Sequence, residues 1–271
     1  MVLRIFLTFI SLFIGLQAYA AEESVYERVM RTGELRCGYV PWPGFVEIDP
    51  NTGKKEGVTV DYIEAIGKEL DLKIIWAMET GWGNYAEGLR SNKYDVMCAG
   101  LWKSGQRAKI SLLSRTLFYD NMFGFARADD IRFKNMPLEN LNAPDFTITV
   151  IDGDITQAVR RADFPNAKEH SISADISAAQ GVMSVVTKKS DIVFESIASI
   201  NKYNDNADIK LVPINNEKPI RQFPVCIGMK PGEHDLKAML DASIEALQVS
   251  GDFKKILSKY PELALSMERQ K

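Results

Sequence analysis

Leu35-Arg-Cys-Gly-Tyr-Val40 is a short apolar run, and it leads directly into Pro41-Trp-Pro-Gly-Phe45. The run has the length and residue types of a strand. The two prolines end it, because a proline has no N–H to give to a ladder. Asp49-Pro-Asn-Thr-Gly53 then signals a hairpin turn. Beyond it Val60, Ile63, Ile66 and Leu70 recur at helical spacing, and Leu72-Lys-Ile-Ile-Trp-Ala77 reads as a further strand. The unit is strand, loop, helix, strand. Two parallel strands need a crossover of this length between them, so the stretch points to an α/β fold rather than to a meander.

The alternation continues along the chain. Asn84 to Leu89 reads as a short helix, and Asp95-Val-Met-Cys-Ala99 as a buried strand closed by Gly100. Met122-Phe-Gly-Phe-Ala126 is another apolar strand; it ends in Arg127-Ala-Asp-Asp130, where the chain crosses to a new set of elements. In that set, Phe146-Thr-Ile-Thr-Val-Ile151 is a β-branched strand that runs through Asp152-Gly153-Asp154 into a helix from Ile155 to Arg161. Ala174 to Thr187 reads as helix, Asp191-Ile-Val-Phe194 as strand and Ser196 to Tyr203 as helix. Val225-Cys-Ile-Gly-Met229 is the last clear strand, and Asp235 to Tyr260 carries two helices parted near Gly251. Such a pattern predicts mostly parallel sheets, with right-handed crossovers placing the strand ends and their loops on one rim. No low-complexity linker interrupts it, so two lobes joined by extended strands are expected.

At the N-terminus, Arg4 precedes the apolar run Ile5 to Leu16 and the small-x-small pattern Ala18-Tyr19-Ala20. This is the layout of a secretory signal segment removed after Ala20. The competing reading, a membrane anchor, needs roughly 20 apolar residues, and the run falls short of that. No cysteine stands at Ala21, which argues against a lipid anchor. Net charge is −3, with no long Lys or Arg run, so there is no basic field to attract nucleic acid. Cys37, Cys98 and Cys226 are too few and scattered for a disulfide scaffold or a cysteine metal site. Buried free thiols are expected, although Cys37 and Cys98 could pair in an oxidising compartment if their strands are neighbours. His170 and His234 lie far apart in sequence. No metal and no cofactor is expected.

The order of motifs resembles the family 3 periplasmic solute-binding proteins, the amino-acid receptors of ABC importers. Four anchors carry the resemblance: Leu35-Arg-Cys-Gly38 with the Pro and aromatic residues after it; Glu56-Gly-Val-Thr-Val-Asp61; Lys93-Tyr-Asp-Val-Met-Cys-Ala-Gly100 with Arg107-Ala-Lys109; and Gly251-Asp-Phe253 with Tyr260. Each is weak alone, and together they span the mature chain in order. The resemblance implies a two-lobed periplasmic-binding-protein fold in which two hinge strands, near Met122 to Ala126 and Phe223 to Gly228, let the lobes close on a ligand. One lobe would comprise residues 21–121 and 229–271, the other residues 122–228. It further implies a soluble periplasmic monomer that hands a small polar, carboxylate-bearing solute to an ABC transporter permease.

The resemblance also names site residues. Arg107 matches the arginine that grips the ligand carboxylate, a role suited to a planar fork of donors; the competing reading is a surface Arg on a helix turn. Ser104 matches the position whose N–H and hydroxyl meet the same carboxylate, and Gly100 the one whose carbonyl accepts from the ligand ammonium. Trp42, Phe45 and Trp82 are read as pocket walls, with core filling as the alternative. Gly153 and Asp154 stand where the family has a Gly and small hydroxyl residues at a helix N-terminus. Asp154 departs from that pattern and would repel an anionic ligand if it pointed inward; a helix cap is the other reading. Trp102 departs from the usual small residue, and Ser196 takes the place of the aspartate that pairs with the ammonium. Glu195 could supply that charge, or face solvent at the start of its helix.

Two other functions use the same scaffold. A dehydratase-like enzyme would need an acid or base aimed at a reacting carbon, with Glu195 and Asp154 as candidates; there is no GxSxG motif and there are too few histidines for a triad. A sensor presenting its ligand to a membrane receptor would bind in the same way. Intact-mass measurement on protein from the extracytoplasmic fraction is expected to give a soluble chain starting at Ala21. A mass that retains residues 1–20 overturns the targeting assignment.

Overall fold

The computed structural model describes residues 23–134, 136–175, 178–215, 218–261 and 263, so the targeting segment read at residues 1–20 lies outside it. Twelve strands are formed among the described residues: β1 (Glu34–Tyr39), β2 (Glu47–Ile48), β3 (Lys55–Glu56), β4 (Lys73–Glu79), β5 (Val96–Trp102), β6 (Leu112–Leu113), β7 (Phe118–Arg127), β8 (Thr147–Ile151), β9 (Lys168–Ile172), β10 (Ile192–Glu195), β11 (Leu211–Pro213) and β12 (Arg221–Met229). The helices are α1 (Val25–Thr32), α2 (Val58–Glu69), α3 (Tyr85–Arg90), α4 (Gly105–Ala108), α5 (Ile155–Asp163), α6 (Ala178–Val186), α7 (Ile197–Asp205), α8 (His234–Val249) and α9 (Asp252–Leu257).

Eight strands run in the order β4-β1-β5-β12-β7-β10-β8-β9, with β6 added on β12 and β11 on β7. At one end β4, β1 and β5 pair in parallel, and at the other β10, β8 and β9 do the same. Between these groups, β7 and β12 pair antiparallel with each other from Phe118↔Val225 to Met122↔Arg221. Past that segment they diverge. β12 continues along β5, and β7 continues along β10. The fold is therefore α/β and two-lobed, with two strands shared at the join.

Local chemistry explains the elements. Every residue of β5 is buried, as befits a strand covered on both faces, and α2 packs on it through an apolar stripe that includes Ile63 and Ile66. Gly57, which precedes α2, has φ 120°, and a Cβ there would sit 2.5 Å from the Phe45 carbonyl oxygen. That close approach lets the Gly44 and Phe45 carbonyls accept the Val58 and Thr59 N–H groups at the start of α2. Between α8 and α9, Gly251 takes the left-handed conformation, φ 80°, that ends the first helix.

Some expectations change. The helix read from Ala174 to Thr187 is described over Ala178–Val186, with Ala174 and Asp175 in a turn. β9 was not anticipated, because Lys-Glu-His-Ser-Ile is a polar edge strand without an apolar run, and α1 and the three-residue β11 gave no clear periodicity. Cys37 and Cys98 are not free thiols. β1 and β5 are neighbours, their Cα atoms lie 5.4 Å apart, and the two cysteines form a disulfide. Cys226 alone is free among the three; burial pushes its thiol up to about 12.

The disulfide closes a loop with a sequence separation of 61. Restricting a loop of that size in the unfolded chain is worth about 4 kcal/mol at most by the chain-entropy relation, and native removals typically cost about 2–5 kcal/mol. Replacing both cysteines by alanine is expected to lower stability by about 2–4 kcal/mol in urea unfolding, and reductant should weaken the native protein but not the variant. Equal urea midpoints with and without reductant in the native protein would contradict a stabilising bond.

Candidate functional site

Between the two lobes lies a cavity lined by Trp42, Trp82, Gly100, Trp102 and Arg107 on one side. Facing them are Thr149, Val150, Ile151, Asp154, Thr156, Gly181, Val193, Phe194 and Glu195. Arg107 and Asp154 pair across it at 2.7 Å, so the two walls stand close together.

Each tryptophan of the lining is fixed in its own way. Trp42 exchanges backbone hydrogen bonds with Val46 at 2.8 Å in both directions, which folds Pro41 to Phe45 into a tight turn. Phe45 stacks on Trp42 at 3.9 Å between ring centroids, fully buried. Phe45 thus backs the wall instead of forming it. Trp82 sits between Gly81 and Gly83, where added Cβ atoms would come within 2.2 Å of the Ala174 carbonyl and 2.1 Å of the Asp152 carbonyl. Glycines at both places let two backbones meet, and the Gly83 N–H donates to the Ala174 carbonyl at 3.1 Å across the lobes. Trp102 stacks on Phe223 of β12 and donates its indole N–H to Asp120 Oδ2 at 3.0 Å. The rings of Trp82 and Trp102 both stand nearly perpendicular to that of Trp42, with centroids 5.4 and 5.8 Å away.

Arg107 is not a surface residue. It lies on α4, one turn after β5 ends, and its side chain is 7% exposed. Nη1 donates to the Trp102 carbonyl at 3.0 Å and Nη2 to Asp154 Oδ1 at 2.7 Å. The guanidinium carbon is 5.9 Å from the ring centroids of both Trp82 and Tyr85. Ser104 caps α4 by accepting the Arg107 N–H at 3.2 Å, and it does not line the cavity. Asp154 combines its two readings. It caps α5, accepting the Thr156 N–H at 3.4 Å, and it points inward to close a buried ion pair between the lobes. Gly153, with φ 75°, shapes the turn before it but is exposed and outside the lining.

Glu195 does not face solvent. It is buried at the end of β10 and lines the cavity, with Oε2 accepting the Ser196 N–H at 2.8 Å. Burial pushes its carboxyl up to about 7, against hydrogen bonds from Ser196, Ser199 and Trp42 that favour the charged form. Ser196 itself is fully buried as the cap of α7, accepting the Ser199 N–H at 3.2 Å, and stays out of the cavity. The sequence reading missed Asp120, an acid within the aromatic run Phe118-Tyr-Asp-Asn-Met-Phe123, which is the one signal that could have marked it. Fully desolvated beneath Trp102, its carboxyl rises to about 8. The apolar lining from the ends of β8 and β10 was also unmarked, since Val150, Ile151, Val193 and Phe194 read as ordinary core. Of the site residues expected, Trp42, Trp82, Gly100, Trp102, Arg107, Asp154 and Glu195 meet at the cavity, while Phe45, Ser104, Gly153 and Ser196 support it from behind.

Residues 35–262 match the model of the bacterial extracellular solute-binding proteins, family 3. Among solved structures, a mutant of ArgBP from T. maritima is similar with a TM-score of 0.74 and 18% identity, over 88% of this chain and 99% of that one. An ancestral amino-acid-binding protein, described as a precursor of cyclohexadienyl dehydratase, matches with a TM-score of 0.73 and 20% identity, over 87% and 98% of the two chains. An amino acid ABC transporter substrate-binding protein from Streptococcus pneumoniae bound to L-arginine matches with a TM-score of 0.70 and 20% identity, over 91% and 100%.

The raised carboxyls set a pH dependence. Between the ordinary carboxylate range and about 7, folded Glu195 holds a proton that the unfolded chain has released; Asp120 does the same up to about 8. Over that interval the folded state binds more protons, so stability falls as pH rises. Urea midpoints of the native protein are expected to drop from pH 5 to pH 8, and Glu195→Gln should gain on it from pH 5 to about pH 7 and level off above that. A difference between the two proteins that does not change with pH would count against a buried, titrating Glu195.

Proposed function

This chain belongs to the bacterial extracellular solute-binding proteins of family 3, and we propose that it captures a small polar, carboxylate-bearing solute, an amino acid or related organic acid, by closure of its lobes for delivery to an ABC importer. The observation that carries this reading is the buried guanidinium of Arg107 at the edge of a cleft walled by three tryptophans. A planar fork in a dry site suits two carboxylate oxygens, and the indole faces offer contact area at low entropic cost. Gly100, whose φ of 87° bends the chain within β5, also lines the cavity and is assigned to the ligand ammonium through its carbonyl.

In this proposal the chain is cleaved near Ala20 and acts as a periplasmic monomer that docks on a transporter permease. One lobe takes residues 21–121 and 229–271, and the other residues 122–228 with the hinge strands. Among the described residues no helix is long and apolar enough to cross a membrane. A dehydratase-like activity would require a free acid and base. Asp154, one of the two candidates, is engaged by Arg107 and by the Thr156 N–H, so capture rather than turnover is the reading adopted.

A thermal-shift screen of the mature protein against amino acids and small organic acids identifies the ligand, since a solute at 100 times its Kd adds about 2.7 kcal/mol of stability. With that solute, Arg107→Ala is expected to cost about 2–5 kcal/mol in calorimetric titration, or about 30-fold or more in affinity. Arg107→Lys should recover only part, because an ammonium keeps the charge and loses the fork. The Ala variant also leaves Asp154 without its buried partner, so its melting temperature should fall and titrations belong well below it. An Ala variant that binds within threefold of the native protein would rule out the carboxylate grip.

A further inference from the structure

We infer that Asp120 is a positioning residue for capture: from the join of the lobes it selects which edge of the Trp102 ring faces the cavity, so that the solute meets indole carbon and not the N–H. The inference rests on the reading of this cavity as the capture site.

Trp102 belongs to the lining, and its ring is held by two residues that do not. Phe223 of β12 stacks on it, with centroids 5.3 Å apart and planes 14° from parallel. Asp120 of β7 accepts its indole N–H at 3.0 Å. Phe223 and Asp120 stand directly opposite each other in the pairing that joins the lobes. The backbone of Trp102 is fixed separately, since it pairs with Val225 of β12 and its carbonyl accepts from Arg107.

The two ring contacts have different effects. The χ2 torsion that orients an aromatic ring has two broad wells about half a turn apart, and a flip between them exchanges the edges of an indole. Stacking sets the plane; the hydrogen bond sets the edge. Asp120 is 1% exposed and lies outside the lining, so the N–H it accepts points away from the cavity. A buried indole N–H needs an acceptor. With Asp120 gone that donor is orphaned, and turning the ring over to put the N–H in the cavity relieves it. Both oxygens of Asp120 are engaged, Oδ2 by Trp102 and Oδ1 by the Asn121 N–H at 2.9 Å. Burial raises the carboxyl to about 8, the two N–H bonds favour its ionised form, and the charge of Glu195 opposes it.

The test compares the mature native protein with Asp120→Val, Trp102→benzothienylalanine and the two combined. Valine suits a buried strand and removes both acceptors. Benzothienylalanine keeps the fused ring with sulfur in place of the N–H, so it breaks the same bond with the acid in place, whether or not Asp120→Val folds. In NMR spectra without any solute, the indole N–H resonance missing from the Trp102 variant is expected to shift as pH passes through about 8 in the native protein. It should keep that shift in Glu195→Gln and lose it in Asp120→Val. A resonance that does not follow Asp120 overturns the inference. Each protein is then titrated calorimetrically with the standard L-amino acids and with acetate, succinate and glutarate, one at a time. For the probe that the native protein binds most tightly, each single variant is expected to lose about fivefold or more in affinity, and the combination no more than one variant alone. Native affinity in either single variant overturns the positioning role, as does a full further loss on combining them. If Arg107→Ala loses binding while the Asp120 and Trp102 variants keep it, the positioning role alone falls. If no probe binds the native protein at millimolar concentration, or Arg107→Ala binds as the native does, the capture reading falls and the role with it.

Discussion

The two lobes share a single antiparallel pairing, β7 against β12 from Phe118↔Val225 to Met122↔Arg221, and the geometry of the cleft follows from it. Backbone hydrogen bonds between the strands keep them side by side. Each strand then leaves its partner for a different parallel group, β12 for β5 and β7 for β10. The loops at the ends of β1, β5, β8 and β10 are thereby turned toward one another. Trp102, at the end of β5, stacks on Phe223 of β12, so a wall of the cavity leans on the hinge itself.

The lobe that holds α1, β1 and β5 is tied firmly. Buried Asp95, at the start of β5, accepts from the Arg36 guanidinium and backbone N–H and from Arg28, which joins α1, β1 and β5. The Cys37–Cys98 bond fastens the same two strands a few residues on. Tyr94 fills the space that side chains at Gly38 and Gly88 would occupy, and its hydroxyl donates to the Tyr85 carbonyl at 2.6 Å. These ties hold together the lobe that carries Trp42, Trp82 and Arg107.

Among the described residues, polar ties across the cleft include Arg107 with Asp154, Trp42 with Glu195, the Gly83 N–H with the Ala174 carbonyl, and Lys202 with Glu47 at 3.2 Å. The last is more than a third exposed on both sides and is worth little. The first is buried, and its value depends on both partners being present, because each alone is a desolvated charge. Glu195 lines the same cavity and Asp120 lies beneath Trp102, and burial raises both carboxyls.

The sequence by itself determined the order of the main elements, though not β9, α1 or β11, because periodicity and turn residues are local properties. The strand at Leu35, the helix from Val60, the β-branched run before Gly153 and the break at Gly251 all follow from a few neighbouring residues. The fork chemistry of Arg107 and the wall aromatics Trp42 and Trp82 were legible for the same reason, with the family resemblance to place them. Only the tertiary structure decided where the side chains meet. The Cys37–Cys98 bond depends on β1 and β5 being neighbours, which no spacing of 61 residues reveals. Glu195 turns into the cavity while Ser196, one residue on, turns away to cap α7, since successive positions at a strand end face opposite directions. Above all, Asp154 faces Arg107 from 47 residues away. Their pairing comes from the hinge bringing two lobes together, and long-range closure of that kind leaves no trace in local sequence.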